Sequence, residues 1–590
     1  MIRILLSLIL LQLSFSSAGA QITITPDSSL ADAVRKAREM QRLGKCHHAT
    51  IHLTAGIYHL YEPLRIRPED EGLTIEGDGA VISGGIPVTG WKKAGKLWVA
   101  DVPDFNGCPI DFRQVWVNGR KAVRARDVSD YEQMNRILTY DKKNRVLWVP
   151  KKAVAPLLRG GYNQWVSPYP EMVLHQMWCV SNLRIKDIRI DGDSAAVTFH
   201  NPEAKIQFEH PWPSPMTPNT GHPSPFYLTN SLALLDQPGE WFYDNRKQKL
   251  YYMPRSDENM KTAKVVVPVL ESVVEVVGTA ERPVRNVTFR GIEFAYTTWM
   301  RPSQKGHVPL QAGMYLTEAY KLRPQIDRQN NHKLDNQGFL GRASAAVTVN
   351  FGENINFDHC VFTHIGGSGL DYVYGCKGGT TTRCRFEDIA MNGFVCGSFS
   401  PEGLETHLPY TPTDERVVCR NQIVEQSLFN DVTNEDWGCV AIAAGYVSGI
   451  NIDHNTIHNV SYTGISVGWG WNRDLVCMKD NRIHANLVYD YARHMYDCAG
   501  IYTLGNQPGT MITENVVRDI AKPSYVHDPN HWFYLYTDEG SSNITIRDNW
   551  TPEEKFLKNA NGPNNVWENN GPMVSEEIKA RAGARFIIDN

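Results

Sequence analysis

Two carboxylates sit where short strand-like runs begin or end. Asp497 opens the segment D-C-A-G-I-Y (Asp497–Tyr502). Asp538, followed at once by Glu539, ends the run that leads into T-D-E-G-S-S (Thr537–Ser542). Hydrolysis of a glycosidic bond needs such a pair. One carboxyl protonates the leaving oxygen, and the other attacks the anomeric carbon or activates a water. Asp538 and Glu539 are neighbours, so in a regular strand only one of them faces a groove. The D-E-G-S-S run is also a good turn former, and an Asp at a strand end often serves no other purpose.

The elements that must position these groups repeat along the chain. Glycine-led strands recur as S-G-L-D-Y-V, N-G-F-V-C-G, G-C-V-A-I-A, T-G-I-S-V-G, A-G-I-Y-T-L and F-Y-L-Y-T-D. Aligned on Leu370, Phe394, Val440, Ile465, Ile501 and Leu535, they step by 24, 46, 25, 36 and 34 residues. They are read as preceding a second strand template with a polar pair that often ends in Asn, as in E-N-I-N-F-D-H-C-V-F (Glu353–Phe362) and S-G-I-N-I-D-H-N-T-I (Ser448–Ile457). A period of ~20–30 residues made of strands without helices describes a β-solenoid. The expected fold is all-β, a right-handed parallel β-helix, with coils ~4.8 Å apart and Asn side chains laddered at the turns.

Alternation along the aligned strands sets out an outer face. One position beyond the aligned residue stand Asp371, Ser466, Tyr502 and Tyr536, and three beyond stands Asp538. Four positions before stand Asp436, Ser461, Asp497 and His531. Aromatic and imidazole groups rim this face: Trp437, Tyr462, Trp469, Trp471 and His494. The expected catalytic pair is Asp497 with Asp538. Glu539, Asp371, Asp436, Trp437, Tyr462, Trp469, Trp471, His494 and Tyr502 are expected to bind the sugar. Asp497 and Asp538 differ in phase by seven residues, roughly 20 Å along a straight strand. They meet only if the Asn486–Asp497 loop bends back over the groove; otherwise Asp371 or Asp436 is the better partner for Asp538.

The rest of the chain narrows the class. The 590 residues carry a net charge of -4 and no basic run of the kind that tracks phosphates, so nucleic acid is not an expected partner. Met1-Ile2-Arg3, an apolar run from Ile4 to Phe15 and Ala18-Gly19-Ala20 read as a secretory leader cut near Gln21. Roughly 12 apolar residues fall short of the ~20 that span a bilayer. The expected destination is across the inner membrane, periplasmic or extracellular. Eleven cysteines show no C-x-x-C pair and no zinc spacing, and read as small buried apolar residues. No cofactor and no metal is expected.

Hairpin signals interrupt the solenoid. R-Q-V-W-V-N-G-R-K-A-V-R-A-R (Arg113–Arg126) has an N-G turn between strand-like runs. G-E-W-F-Y-D (Gly239–Asp244) and K-L-Y-Y-M-P (Lys249–Pro254) form another hairpin after a Pro-rich stretch. The expected division is a leader over 1–20, a cap and first coil over 21–90, an antiparallel insertion over 91–170, solenoid strands with a hairpin insertion over 171–263, the main solenoid over 264–550 and a charged tail over 551–590.

These segments, with S-G-G-I-P-V-T-G-W (Ser83–Trp91), Y-T-G-I-S-V-G-W-G-W (Tyr462–Trp471) and G-I-Y-T-L-G-N-Q-P-G-T (Gly500–Thr510), resemble the bacterial β-helix enzymes of glycoside hydrolase family 141 over roughly residues 22–550. Family 120 β-xylosidases are more distantly similar. The resemblance implies an exo-acting glycosidase. The family includes an α-L-fucosidase acting on complex pectin (rhamnogalacturonan II) in gut Bacteroides, and also a xylanase. It points to the carboxylates of D-x-x-G-I-Y (Asp497) and D-E-G-S-S (Asp538). Cys498 and Ala499 stand where the family has glycines. Two other classes fit a β-helix: a polysaccharide lyase, with Arg383, Arg473, His364 or His494 near a uronate, and a glycan-binding solenoid that needs only the aromatic rim.

Overall fold

The computed structural model describes residues 13–16, 19–160, 167–210, 213–318, 338–401 and 404–586. Most of the expected leader lies outside the described residues.

The chain is a right-handed parallel β-helix with a large inserted unit. One face is a ten-stranded sheet whose strands stack in chain order. It runs from Leu64–Ile66 through Val274–Val277, Ala345–Asn350, Ser368–Tyr374, Phe394–Cys396, Ile442–Ala444, Ile465–Val467, Cys498–Thr503 and Trp532–Thr537 to Phe556–Lys558. Every neighbouring pair is parallel, for example Ile465 beside Ile501 and Ile501 beside Leu535. A twenty-stranded sheet supplies the other walls.

The sequence explains the stack. Inward positions repeat the same residue type, so like packs on like. Phe362, Phe386 and Phe429 stack with centroids 4.6 and 4.5 Å apart and nearly parallel planes. Asn455, Asn486, Asn515, Asn549 and Asn570 form a ladder, each side-chain amide donating to the next side-chain oxygen at 2.8–3.0 Å. Nine of the eleven cysteines are buried and none is paired. The helix Leu30–Arg42 closes the N-terminal end: Ser29 caps it, and Leu30, Ala33, Val34, Ala37 and Met40 turn inward onto the core.

Three expectations are corrected. First, residues 171–199 are not solenoid strands. Glu171–Gln176, Cys179–Asp191 and Ser194–Phe199 pair antiparallel and join Pro225–Thr229 and Val146–Pro150 in a seven-stranded sheet. The two expected interruptions are therefore parts of one inserted unit, and Val265–Pro268 still pairs antiparallel within it. The Asn118–Gly119 turn does form a hairpin, with both residues at positive φ. Second, Ile442 rather than Val440 aligns with Phe394 and Ile465, a slip of two residues. Third, the stack does not end at 550: Phe556–Lys558 and Val566–Glu568 add strands to both sheets.

Candidate active site

Asp538 lies one residue beyond the strand Trp532–Thr537. Its backbone N–H donates to the Thr503 carbonyl at 3.0 Å, which holds it against the preceding coil. The chain must then turn at Gly540, where φ is +78° and a Cβ would lie 2.0 Å from the Asn472 carbonyl oxygen. Two side chains hold the carboxyl: the Tyr502 hydroxyl donates to Oδ2, and the Asn559 amide donates to Oδ1 at 2.7 Å. Burial pushes its pKa up to about 6; the Tyr502 and Asn559 bonds oppose the rise, and the charge of Asp497 adds to it. Glu539 is half-buried, and its carbonyl accepts from Gly505 at 3.2 Å.

Asp497 sits at the corner before the strand Cys498–Thr503, with φ at +56°. Its N–H donates to the His531 carbonyl at 2.7 Å, and its carbonyl accepts from the Tyr462 hydroxyl at 2.8 Å. Its carboxylate lies 3.1 Å from His531 Nε2, and this contact raises the imidazole's pKa. The residues in place of the family's glycines face opposite ways. Cys498 joins the main core, and Ala499 joins a separate cluster with Tyr502, Leu504, Phe533 and Tyr536.

Asp497 stands at a corner before the strand Cys498–Thr503 and Asp538 just beyond the neighbouring strand Trp532–Thr537, and the charge of Asp497 reaches Asp538. Burial pushes up the Tyr462 and Tyr536 hydroxyls, and the charges of Asp497 and Asp538 both add to the rise. Tyr502 and Tyr536 pack edge to face at 4.9 Å on the outer face between adjacent coils. The structure thus gathers Asp497, Asp538, Tyr462, Tyr502 and the half-buried Trp471, which packs on the Tyr502 cluster.

The other expected site residues go elsewhere. Asp371 does face outward, but four strand pairings separate it from Tyr502, or roughly 19 Å. Arg342 clamps it with two bonds of 2.5 Å. Asp436 pairs with His307 at 2.8 Å, both buried. Trp437 and His494 are not an open rim: they stack on each other at 4.4 Å beneath the insertion, with Tyr131 edge-on to both. Trp469 is 2% exposed, its Nε1 donating within 3.3 Å of the Ser400 and Thr406 hydroxyls. Of the residues a lyase would use, Arg383 pairs with Asp358, His364 with Asp388, and the His494 ring is held by Trp437 and the Tyr525 hydroxyl.

Sequence reasoning missed Tyr536 and Asn559 beside Asp538 and His531 beside Asp497. Tyr536 and His531 stand in the right columns of the alignment; Asn559 falls in the expected tail. It also missed a well-formed cavity. This one, about 320 Å³, lies between the insertion and the corner row of the solenoid rather than over Asp497 and Asp538. Lys121 bridges Asp388 at 3.0 Å and Glu435 at 3.2 Å there. Burial works against both charges of the Lys121–Asp388 pair, but their mutual attraction wins, holding the Asp388 carboxyl far below the usual range. The Gln176–Cys179 turn packs on the segment that follows Asp436: at Gly438 a Cβ would lie 2.8 Å from the Cys179 Cα. Among the described residues, no group of three or more His, Cys, Asp or Glu is placed to hold a metal ion.

Residues 95–255 match the model of the GH141 insertion domain. A solved structure described as a glycoside hydrolase is 54% identical, covers 96% of this chain and 99% of its own, and superposes with a TM-score of 0.92. A complex of XylC with xylose is 11% identical, covers 86% of this chain and 64% of its own, and has a TM-score of 0.43. PfbA, a surface adhesin of Streptococcus pneumoniae, is 11% identical over 92% of this chain and 85% of its own, with a TM-score of 0.39. No curated protein matches.

Proposed function

We propose, from the premise that the chain belongs to glycoside hydrolase family 141, that Asp538 is the general acid of a glycosidase and Asp497 its opposing carboxylate. One observation carries the assignment: burial and the charge of Asp497 push the Asp538 carboxyl up to about 6. A carboxyl that keeps its proton near neutral pH can give it to a leaving oxygen, while its partner stays charged to attack or to activate water. Tyr502 and Asn559 aim Asp538, and His531 steadies Asp497.

The substrate reading is an exo-acting α-L-fucosidase on side chains of rhamnogalacturonan II. The family resemblance of the D-x-x-G-I-Y and D-E-G-S-S motifs supports it. Export is part of the same reading. The leader-like first twenty residues support it, and cleavage near Gln21 leaves Ile22 and Ile24 of the first solenoid strand in place. Aryl glycosides of L-fucose, D-xylose, L-arabinose and D-galactose, together with pectic oligosaccharides, test the specificity. Release of L-fucose alone is the expected result. Release of xylose instead would overturn the fucosidase reading and keep the glycosidase, whereas a new absorbance at ~235 nm from an unsaturated uronide would reveal a lyase.

A further inference from the structure

One cavity lies away from the Asp497–Asp538 site. It opens at the seam where the insertion meets the solenoid, and at about 320 Å³ it lies at the lower end of small-ligand pockets (~300–1,000 Å³). Four polar atoms on its walls are buried yet find no partner among the described residues: Arg124 Nε, Arg126 Nε, His307 Nδ1 and Asp436 Oδ1. Buried polar atoms are normally satisfied, so a cluster of four on one cavity marks a place where something else supplies the partners. The cavity is far larger than the ~15 Å³ that one water needs.

From this we infer a second, non-catalytic site that binds one neutral sugar unit. The unmet set contains two fixed donors, one acceptor and an imidazole nitrogen that can be either. That mixture matches hydroxyl groups, which both give and take hydrogen bonds. Four cationic and four carboxylate side chains line the walls, so no net charge selects an anion or a cation. The charged groups are already held: Glu171 grips Arg113 and Arg124 with bonds of 2.8–3.0 Å, and Asp436 grips His307 at 2.8 Å. Groups fixed in advance lose little freedom on binding. Trp299, edge-on to His307 at 5.0 Å, and the ring of Tyr131 supply apolar wall for the sugar's C–H face. Neither Asp497 nor Asp538 lines this cavity. The bound unit is therefore a second residue of a glycan and not the one being cleaved. That the ligand is a sugar rests on the glycosidase reading.

Titration tests it, with D-galactose, D-xylose, L-rhamnose, L-fucose and D-galacturonate as probes. Binding is followed by calorimetry and by saturation-transfer NMR, on the full chain carrying Asp538→Asn and on the same chain with Arg126→Met or Glu435→Ala added. Circular dichroism and the melting temperature confirm that each variant is folded. The expected result is a neutral sugar whose binding weakens at least tenfold in both added variants. Three results would overturn the inference: no neutral sugar binding, binding indifferent to both changes, or preference for D-galacturonate. The catalytic reading fails by a separate sign, retained hydrolysis in Asp497→Asn.

Discussion

Replacing Asp538 by Asn separates a catalytic carboxyl from a structural one, because the structure fixes both the sign and the size of the effect. In the fold its pKa rises from the ordinary 3.8 to about 6. A carboxyl raised in this way favours folding while it is protonated. Its contribution is full below about pH 4 and is lost as the pH climbs through about 6. At about 1.4 kcal/mol for each tenfold change in proton affinity, the wild type gives up about 3 kcal/mol above that range. Asn carries no charge at any pH and keeps the two neighbours, since the Tyr502 hydroxyl can accept where it formerly donated. For a chain of 590 residues the entropy of unfolding is about 1.2 kcal/mol/K. The variant should therefore melt about 2 °C above the wild type at pH 8 and level with it at pH 4, while losing at least ~10²-fold in kcat. Differential scanning calorimetry at the two pH values, with initial rates on the same samples, makes the check. A variant that is equally destabilised at both pH values, or that still turns over, would refute the reasoning.

Further outcomes follow from other contacts. In the wild type, kcat/KM should fall as the pH rises through about 6, as Asp538 gives up its proton; a flat profile from pH 5 to 8 would speak against its acid role. Tyr502→Phe removes a bond that favours the charged carboxylate, so this basic limb should move up by roughly one pH unit, measured as kcat/KM against pH. Arg342→Met leaves Asp371, which is 2% exposed, buried without its partner. It should cost about 3–5 kcal/mol at pH 8 and less at pH 5, where Asp371 can take up a proton; urea titrations at both pH values test this. Asn515→Ala breaks the ladder between Asn486 and Asn549 and strands buried partners on both sides. It should cost about 3 kcal/mol, read as a lower urea midpoint with activity per folded molecule unchanged.

What could be read from the sequence was whatever repeats locally. Inward positions of a solenoid accept one kind of side chain, so Phe on Phe and Asn on Asn write the coil period into the chain. The Asn118–Gly119 turn was legible because both residues must adopt positive φ. The extent of the insertion was not legible. Alternation marks 171–199 as strand, but whether such a strand pairs parallel in a coil or antiparallel in a hairpin depends on partners far away. The register slipped at Val440 because Cys439 to Ala444 is apolar throughout, and an apolar run has no phase to read. Asp497 and Asp538 were visible as motifs, but Asp497 takes the positive φ of its corner without a glycine to announce it. Trp437 and His494 looked like a sugar-stacking rim because nothing local records that the insertion docks on them. The charged cavity was hidden for the same reason: Lys121 and Arg126 meet Glu435 and Asp436 only in three dimensions.

The claim that Asp497 and Asp538 flank the scissile bond is tested most directly by the initial rate of L-fucose release from a pectic oligosaccharide, for the wild type against Asp497→Asn. Asp497 lies partly exposed at a corner, with His531 beside it, so the substitution should leave the melting temperature within about 2 °C. The account predicts a fall in kcat of at least ~10²–10⁴-fold. A folded variant that keeps its rate within a factor of about three would contradict it.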